Sequence, residues 1–152
     1  MRTRECGAHG RAVVLCLAVA LSLGLPGCGG GSGTTPTPVT QPTTTTIFSA
    51  TFTGLGANFA VPFDFAVGSS GSVTVVVDWT HATNNIAVYL TTPSCTIDML
   101  NAFTCQFFAV DIGLTKPKRV DTGAFQPGSY RVWVANDGST SESGVINVLL
   151  TH

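Results

Sequence analysis

Between Ser72 and Trp79 the side chains alternate: Val73, Val75, Val77 and Trp79 take one face of an extended chain, and Thr74, Val76 and Asp78 the other. Successive side chains of a strand point to opposite faces, so a period of two selects a half-buried β-strand and disfavours a helix. The pattern recurs. Asn85–Leu90 turns Ile86, Val88 and Leu90 inward, Tyr130–Val134 turns Tyr130, Val132 and Val134 inward, and Val145–Leu150 does so with Ile146, Val148 and Leu150. Further strands are expected at Ile47–Thr53, Phe59–Val67, Cys105–Ile112 and Lys118–Thr122. Pro62 has no N–H for a ladder, which makes the Phe59–Val67 strand an edge or bulged one. Turn signals separate the runs, among them Gly68-Ser69-Ser70-Gly71, Gln126-Pro127-Gly128 and Asn136-Asp137-Gly138. About eight short strands at this spacing predict an all-β domain, an antiparallel β-sandwich or jelly roll. No segment combines helix caps with a helical period.

The stretch Gly71–Trp79 followed by Asn85–Leu90, and the stretch Phe125–Asn136 with its Pro127-Gly128-Ser129-Tyr130, resemble the bacterial pre-peptidase C-terminal domain family. In that family a Gly-led strand ending in Trp precedes a second strand, and a later Pro-Gly-x-Tyr opens a buried one. The likeness extends over roughly residues 55 to 152. It implies a β-sandwich accessory module without catalysis of its own, of the kind appended to secreted peptidases, and the expectation here is a module with no peptidase attached. The chain departs from the family at Asn85 and Ala87, where many members carry Asp, so an acidic or metal-binding role is not carried over.

Ahead of the domain, Arg2, Arg4 and Arg11 precede an apolar run from Ala12 to Leu25. A basic start followed by a short apolar stretch is the secretory pattern. The run has 14 residues before Pro26, short of the ~20 that a helix needs to cross a bilayer. Leu25-Pro26-Gly27-Cys28 then resembles a bacterial lipobox. The resemblance implies cleavage after residue 27 and lipidation of Cys28, whose thiolate is the nucleophile such chemistry needs. Gly29, where an Asp commonly retains lipoproteins in the inner membrane, implies the outer membrane. Residues 1–27 are thus read as a signal peptide. Residues 28–46 are the lipidated Cys and a tether, GGGSGTTPTPVTQPTTTT, too polar to bury apolar surface. Residues 47–152 are the domain. Partners expected on this reading are the membrane, through Cys28, and an envelope protein or glycan.

Once the leader is removed, four cations (Lys116, Lys118, Arg119, Arg131) face seven acids (Asp64, Asp78, Asp98, Asp111, Asp121, Asp137, Glu142), a net charge of −3. No basic patch exists to hold phosphates, which argues against nucleic acid. Cys95 and Cys105 are the cysteines left beside Cys28, and an exported chain meets an oxidising compartment, so a disulfide between them is expected. Two Cys without a nearby His do not make a tetrahedral metal site. No cofactor motif is present.

Support for catalysis is thin. His81 lies near Asp78, but three positions apart on a strand they point to opposite faces. A calcium site from Asp78, Asn84 and Asn85 would rest on one acid, and a turn explains the two Asn. Trp133 is opposite in direction to Val132 and Val134, together with Arg131. It either stands in solvent, as an aromatic contact for a sugar or protein with Arg131 and Tyr89, or lies under a loop or a facing strand. The sequence therefore predicts a non-enzymatic, lipid-anchored binding or accessory module. Its rivals are a carbohydrate-binding module using Trp133 and Tyr89, and a small hydrolase using His81.

Overall fold

The computed structural model describes residues 40–152. The predicted leader, Cys28 and most of the tether lie outside the described residues. Eight strands run in order: β1 (Thr44–Leu55), β2 (Ala60–Val67), β3 (Gly71–Trp79), β4 (Ile86–Thr91), β5 (Phe107–Asp111), β6 (Lys118–Phe125), β7 (Gly128–Asn136) and β8 (Glu142–Thr151). One short helix, α1 (Ile97–Asn101), lies between β4 and β5. The strands form two four-stranded sheets, β1-β8-β3-β6 and β2-β7-β4-β5, with every pairing antiparallel. The expected β-sandwich is the observed fold.

Alternation explains the core. Val73, Val75, Val77 and Trp79 of β3 meet Ile146, Val148 and Leu150 of β8, and across the sandwich Ile86, Val88 and Leu90 of β4 and Val132 and Val134 of β7. Burying each such side chain stabilises by roughly 1.5–3 kcal/mol relative to leaving it in water. Tyr130 packs against this core with its ring 4.5 Å from that of Phe125. Its hydroxyl donates to the Gln126 carbonyl at 2.8 Å. Pro62 lies on β2, an edge strand, as its missing donor requires.

Three expectations need correction. Thr44–Thr46, read as the end of the tether, belong to β1 and pair with Thr151, Leu150 and Leu149 of β8. A polar threonine tract can join a strand because the ladder is made by the backbone, and β-branched Thr suits extended geometry. The helix α1 was not expected. Thr96 caps it, its hydroxyl accepting from the Met99 N–H at 3.3 Å, but five residues are too few to show a helical period. Third, the sheet β2-β7-β4-β5 is covered on both faces around β4, whose six residues are all buried.

Candidate functional site

The outer face of that second sheet carries the site. Opposed residues across β2, β7 and β4 form rows: Ala60, Ala135 and Ala87 in one, Pro62, Trp133 and Tyr89 in the next, Asp64, Arg131 and Thr91 in a third. The segment between β4 and β5 folds over the last two rows. Cys95, Leu100 and Cys105 pack with Ala87, Tyr89 and Trp133 into a second apolar cluster. The expected disulfide joins Cys95 to Cys105, with Cα atoms 5.4 Å apart, and closes the lobe that carries α1.

Trp133 does share a face with Arg131, but that face is covered, and Trp133 is only 4% exposed. The open-surface alternative for Trp133 is therefore overturned, and the residue serves as packing beneath the disulfide lobe. Arg131 is also committed. It grips both Asp64 oxygens at 2.6 and 2.8 Å, donates to the Cys95 carbonyl at 2.8 Å, and lies over the Trp133 ring at 5.7 Å. Holding the lobe down is what Arg131 does. Tyr89, the third candidate, is mostly buried, yet it reaches the wall of a cleft.

That cleft has a volume of about 590 Å³. Its floor is the alanine row, with Ala60 and Ala135 lining it: small side chains leave a hollow that the lobe does not fill. Leu100 and Ile97 of α1 form one wall, Phe59 and Asn58 before β2 the other, and Asp137 after β7 closes an end. Phe103 lines the cleft from the C-terminal side of α1, its ring 6.3 Å from Phe107, which in turn is 6.0 Å from Tyr89.

Hydrogen bonds through Asn136 fix the rim opposite α1. Its backbone N–H donates to the Phe59 carbonyl at 2.9 Å, its carbonyl accepts from Asn58 at 2.7 Å, and its side-chain amide donates to the Leu55 carbonyl at 2.8 Å. Asn84 completes the frame, donating to Asn136 Oδ1 at 3.1 Å and accepting from the Ser139 N–H at 3.0 Å. Asp137 N–H donates to the Asn85 carbonyl at 3.1 Å. Phe59 and Asp137 are thus held by backbone bonds rather than by side-chain packing. Asn84 being spent in this frame, and Asp78 being paired with Lys116 at 2.8 Å, the weighed calcium set of Asp78, Asn84 and Asn85 does not assemble.

Phe103 is the residue that sequence reasoning missed. Helix α1 ends in a Schellman arrangement: Phe103 N–H donates to the Leu100 carbonyl at 3.0 Å and Thr104 N–H to the Met99 carbonyl at 2.9 Å. The residue after the cap in this motif adopts left-handed backbone and is usually Gly. Here it is Phe, with φ of 53°, and 71% exposed. Asn58, on the opposite wall, also has positive φ, at 63°. A bulky residue in left-handed backbone costs on the order of 1–3 kcal/mol, and such cost gathers at functional sites. No sequence signal announced this, because the helix that creates the position was itself not legible.

Asp137 is exposed, and partial desolvation where it meets the cleft raises its carboxyl from the ordinary value, against a smaller opposing pull from Lys118. Burial, and then the Asp137 charge, push the Tyr89 phenol up. His81 is paired with Glu142, Nδ1 to Oε1 at 3.1 Å, and not with Asp78. That carboxylate also accepts from the Thr80 and His81 backbone N–H groups at 3.0 and 3.1 Å. The arrangement is a strand-end staple between the β3–β4 connection and β8.

No family model matches the sequence, and comparison with curated proteins gives no match. Among solved structures, the chain is similar to the pre-peptidase C-terminal domain of a collagenase from Bacillus anthracis, at 14% identity and TM-score 0.47 over 66% of this chain and 87% of that one. It is also similar to a family two carbohydrate esterase from Cellvibrio japonicus, at 14% identity and TM-score 0.35 over 73% of this chain and 33% of that one. Likeness at this level carries no argument about the cleft or its ligand.

Proposed function

We propose that the chain is a non-catalytic, lipid-anchored cell-envelope protein whose β-sandwich is a binding module, with the cleft between α1 and the Asn58–Phe59 rim as its ligand site. The observation that carries the reading is Phe103. An exposed aromatic in a backbone position suited to Gly is unfavourable twice over, in hydration and in conformation, and a contact made by that ring in the bound state accounts for both. The lipid anchor rests on Leu25-Pro26-Gly27-Cys28 and on the tether after it. The resemblance of Gly71–Trp79 and Phe125–Asn136 to pre-peptidase C-terminal domains agrees with an accessory role. A glycan-binding role loses Trp133 and Arg131 as contacts and keeps Tyr89, so a sugar would have to stack on Phe59 and Phe103. A hydrolase built on His81 finds that side chain engaged with Glu142.

A photoreactive phenylalanine analogue in place of Phe103, introduced into the full chain in intact cells, tests the site. The expected result is crosslinking to an envelope component that is lost when Ala135→Trp fills the floor of the cleft. Equal crosslinking from a probe at Asp121, in the other sheet, would remove the cleft as the ligand site. Polysaccharide or polypeptide in the crosslinked product separates glycan from protein.

A further inference from the structure

The charges of the domain leave one carboxylate without an assignment. Among the described residues all four Lys and Arg side chains are in ion pairs: Lys116 with Asp78, Lys118 with Asp111, Arg119 with Asp121 and Arg131 with Asp64. His81 takes Glu142. Two acids have no such partner, Asp98 and Asp137. Asp98 lies in the first turn of α1, where a negative charge suits the helix terminus. Asp137 lines the cleft.

The other groups that line the cleft favour the same sign of charge. Phe59, Tyr89 and Phe103 are among its lining residues, and an aromatic ring attracts a cation to its face through its quadrupole. Phe59 is 68% exposed and Phe103 71%, so both are available to a ligand. Among the described residues no Lys or Arg lines the cleft to receive an anion. Phe59, Phe103, Ile97 and Leu100 supply apolar contact, and Asn58, Asn101, Tyr89 and Asp137 bring oxygen acceptors to the same lining.

We propose that the cleft binds a small organic cation, its positive head held by the rings of Phe59, Tyr89 and Phe103 and balanced by the Asp137 carboxylate. This inference rests on the cleft being the ligand site. The cavity is several times larger than a trimethylammonium group, which leaves room for the remainder of a larger molecule along the alanine floor.

Choline and 3,3-dimethylbutan-1-ol have nearly the same shape and differ in the charge, so they make the test. Ligand-detected NMR is run on the full processed chain in maltoside micelles, which contain no choline. Choline is expected to bind about 10-fold more tightly than the alcohol. Asp137→Asn should weaken choline about 5-fold and leave the alcohol unchanged, and Phe103→Gly should weaken both. Equal affinity for the two compounds would overturn the charge preference while leaving an apolar ligand site intact. Choline binding indifferent to Asp137→Asn, or no choline binding in the millimolar range, would also overturn the proposal. The crosslinking from position 103 reports separately on whether the cleft is a ligand site at all.

Discussion

Burial of Trp133 decides what its substitution does. The indole packs under the disulfide lobe, but its Nε1–H meets no acceptor among the described residues. A buried donor without a partner costs about 1–3 kcal/mol, so most of what the side chain contributes is its apolar surface. Trp133→Phe is therefore expected to change stability by less than about 1 kcal/mol, the lost volume being offset by removal of the orphan donor, whereas Trp133→Ala should cost about 3–5 kcal/mol. Urea denaturation of the two variants checks this; a Phe variant as damaged as the Ala variant would show that the indole N–H is satisfied. Glu142 gives a second residue-scale expectation. Burial alone would push its carboxyl up, but the His81 backbone N–H, the Asn84 side chain and the His81 ring outweigh burial and hold it below the ordinary glutamate value of 4.5. A depressed carboxyl pKa in the folded state adds stability that is present above pH 4.5 and is lost as pH falls through the folded value. Glu142→Gln should thus be less stable at neutral pH by about 1–3 kcal/mol and should show a shallower loss on acidification below pH 4.5, measured by denaturation across pH.

At the level of elements, the strands were legible and the covering lobe was not. Alternation in Ser72–Trp79 and Val145–Leu150 located β3 and β8 with the correct inward faces because one face of each meets the core and the other faces outward or a neighbour. The run Ile86-Ala87-Val88-Tyr89-Leu90 carried a further signal, since it has no charged residue on either face. Such a continuous apolar run marks a strand buried on both sides, and that would have placed a cover over Tyr89 and Trp133. Lys118 was not legible either: its side chain is fully buried, with Nζ donating to Asp111 and to the Gly113 carbonyl, an arrangement that only the apposition of β5 and β6 creates. The lobe itself makes two predictions. Phe103→Gly should raise stability by about 1 kcal/mol through relief of the left-handed backbone, while weakening choline binding read by NMR; a gain in stability with binding retained would detach Phe103 from function. Cys95→Ser opens a disulfide loop of sequence separation 10 and should lower stability by about 2–4 kcal/mol, with Trp133 fluorescence shifting toward that of a hydrated indole.

For the whole molecule, the sequence pattern led to the right architecture because a sandwich is specified by which face of each strand is apolar, and that is a local property. The site needed tertiary information: the alanine row of Ala60, Ala135 and Ala87 comes from three strands far apart in the chain, and Asp137 was visible only as a member of a turn. The resemblance of Leu25-Pro26-Gly27-Cys28 to a lipobox leads to one whole-chain prediction. Cys28→Ser is expected to leave an unprocessed, unacylated precursor, read by intact-mass spectrometry, with the domain folded as before; a mature N-terminus at Cys28 free of acyl mass would remove the anchor from the account.

The pairing of β1 with β8 has a mechanical consequence. The chain enters β1 beside the end of β8, where Thr43 and His152 exchange backbone hydrogen bonds at 2.8 and 3.1 Å, and β1 then runs to Leu55, whose carbonyl is held by Asn136 at the Asp137 end of the cleft. A pull between residues upstream of Thr43 and a ligand in the cleft is therefore directed along β1. Antiparallel ladder bonds lie perpendicular to the strand, so such a load shears the β1–β8 ladder, straining its bonds together instead of peeling them one at a time. A domain moored in this way would keep its grip under tension, and pulling from Thr43 against a fixed Asp137 should meet a higher rupture force than pulling Thr43 away from His152.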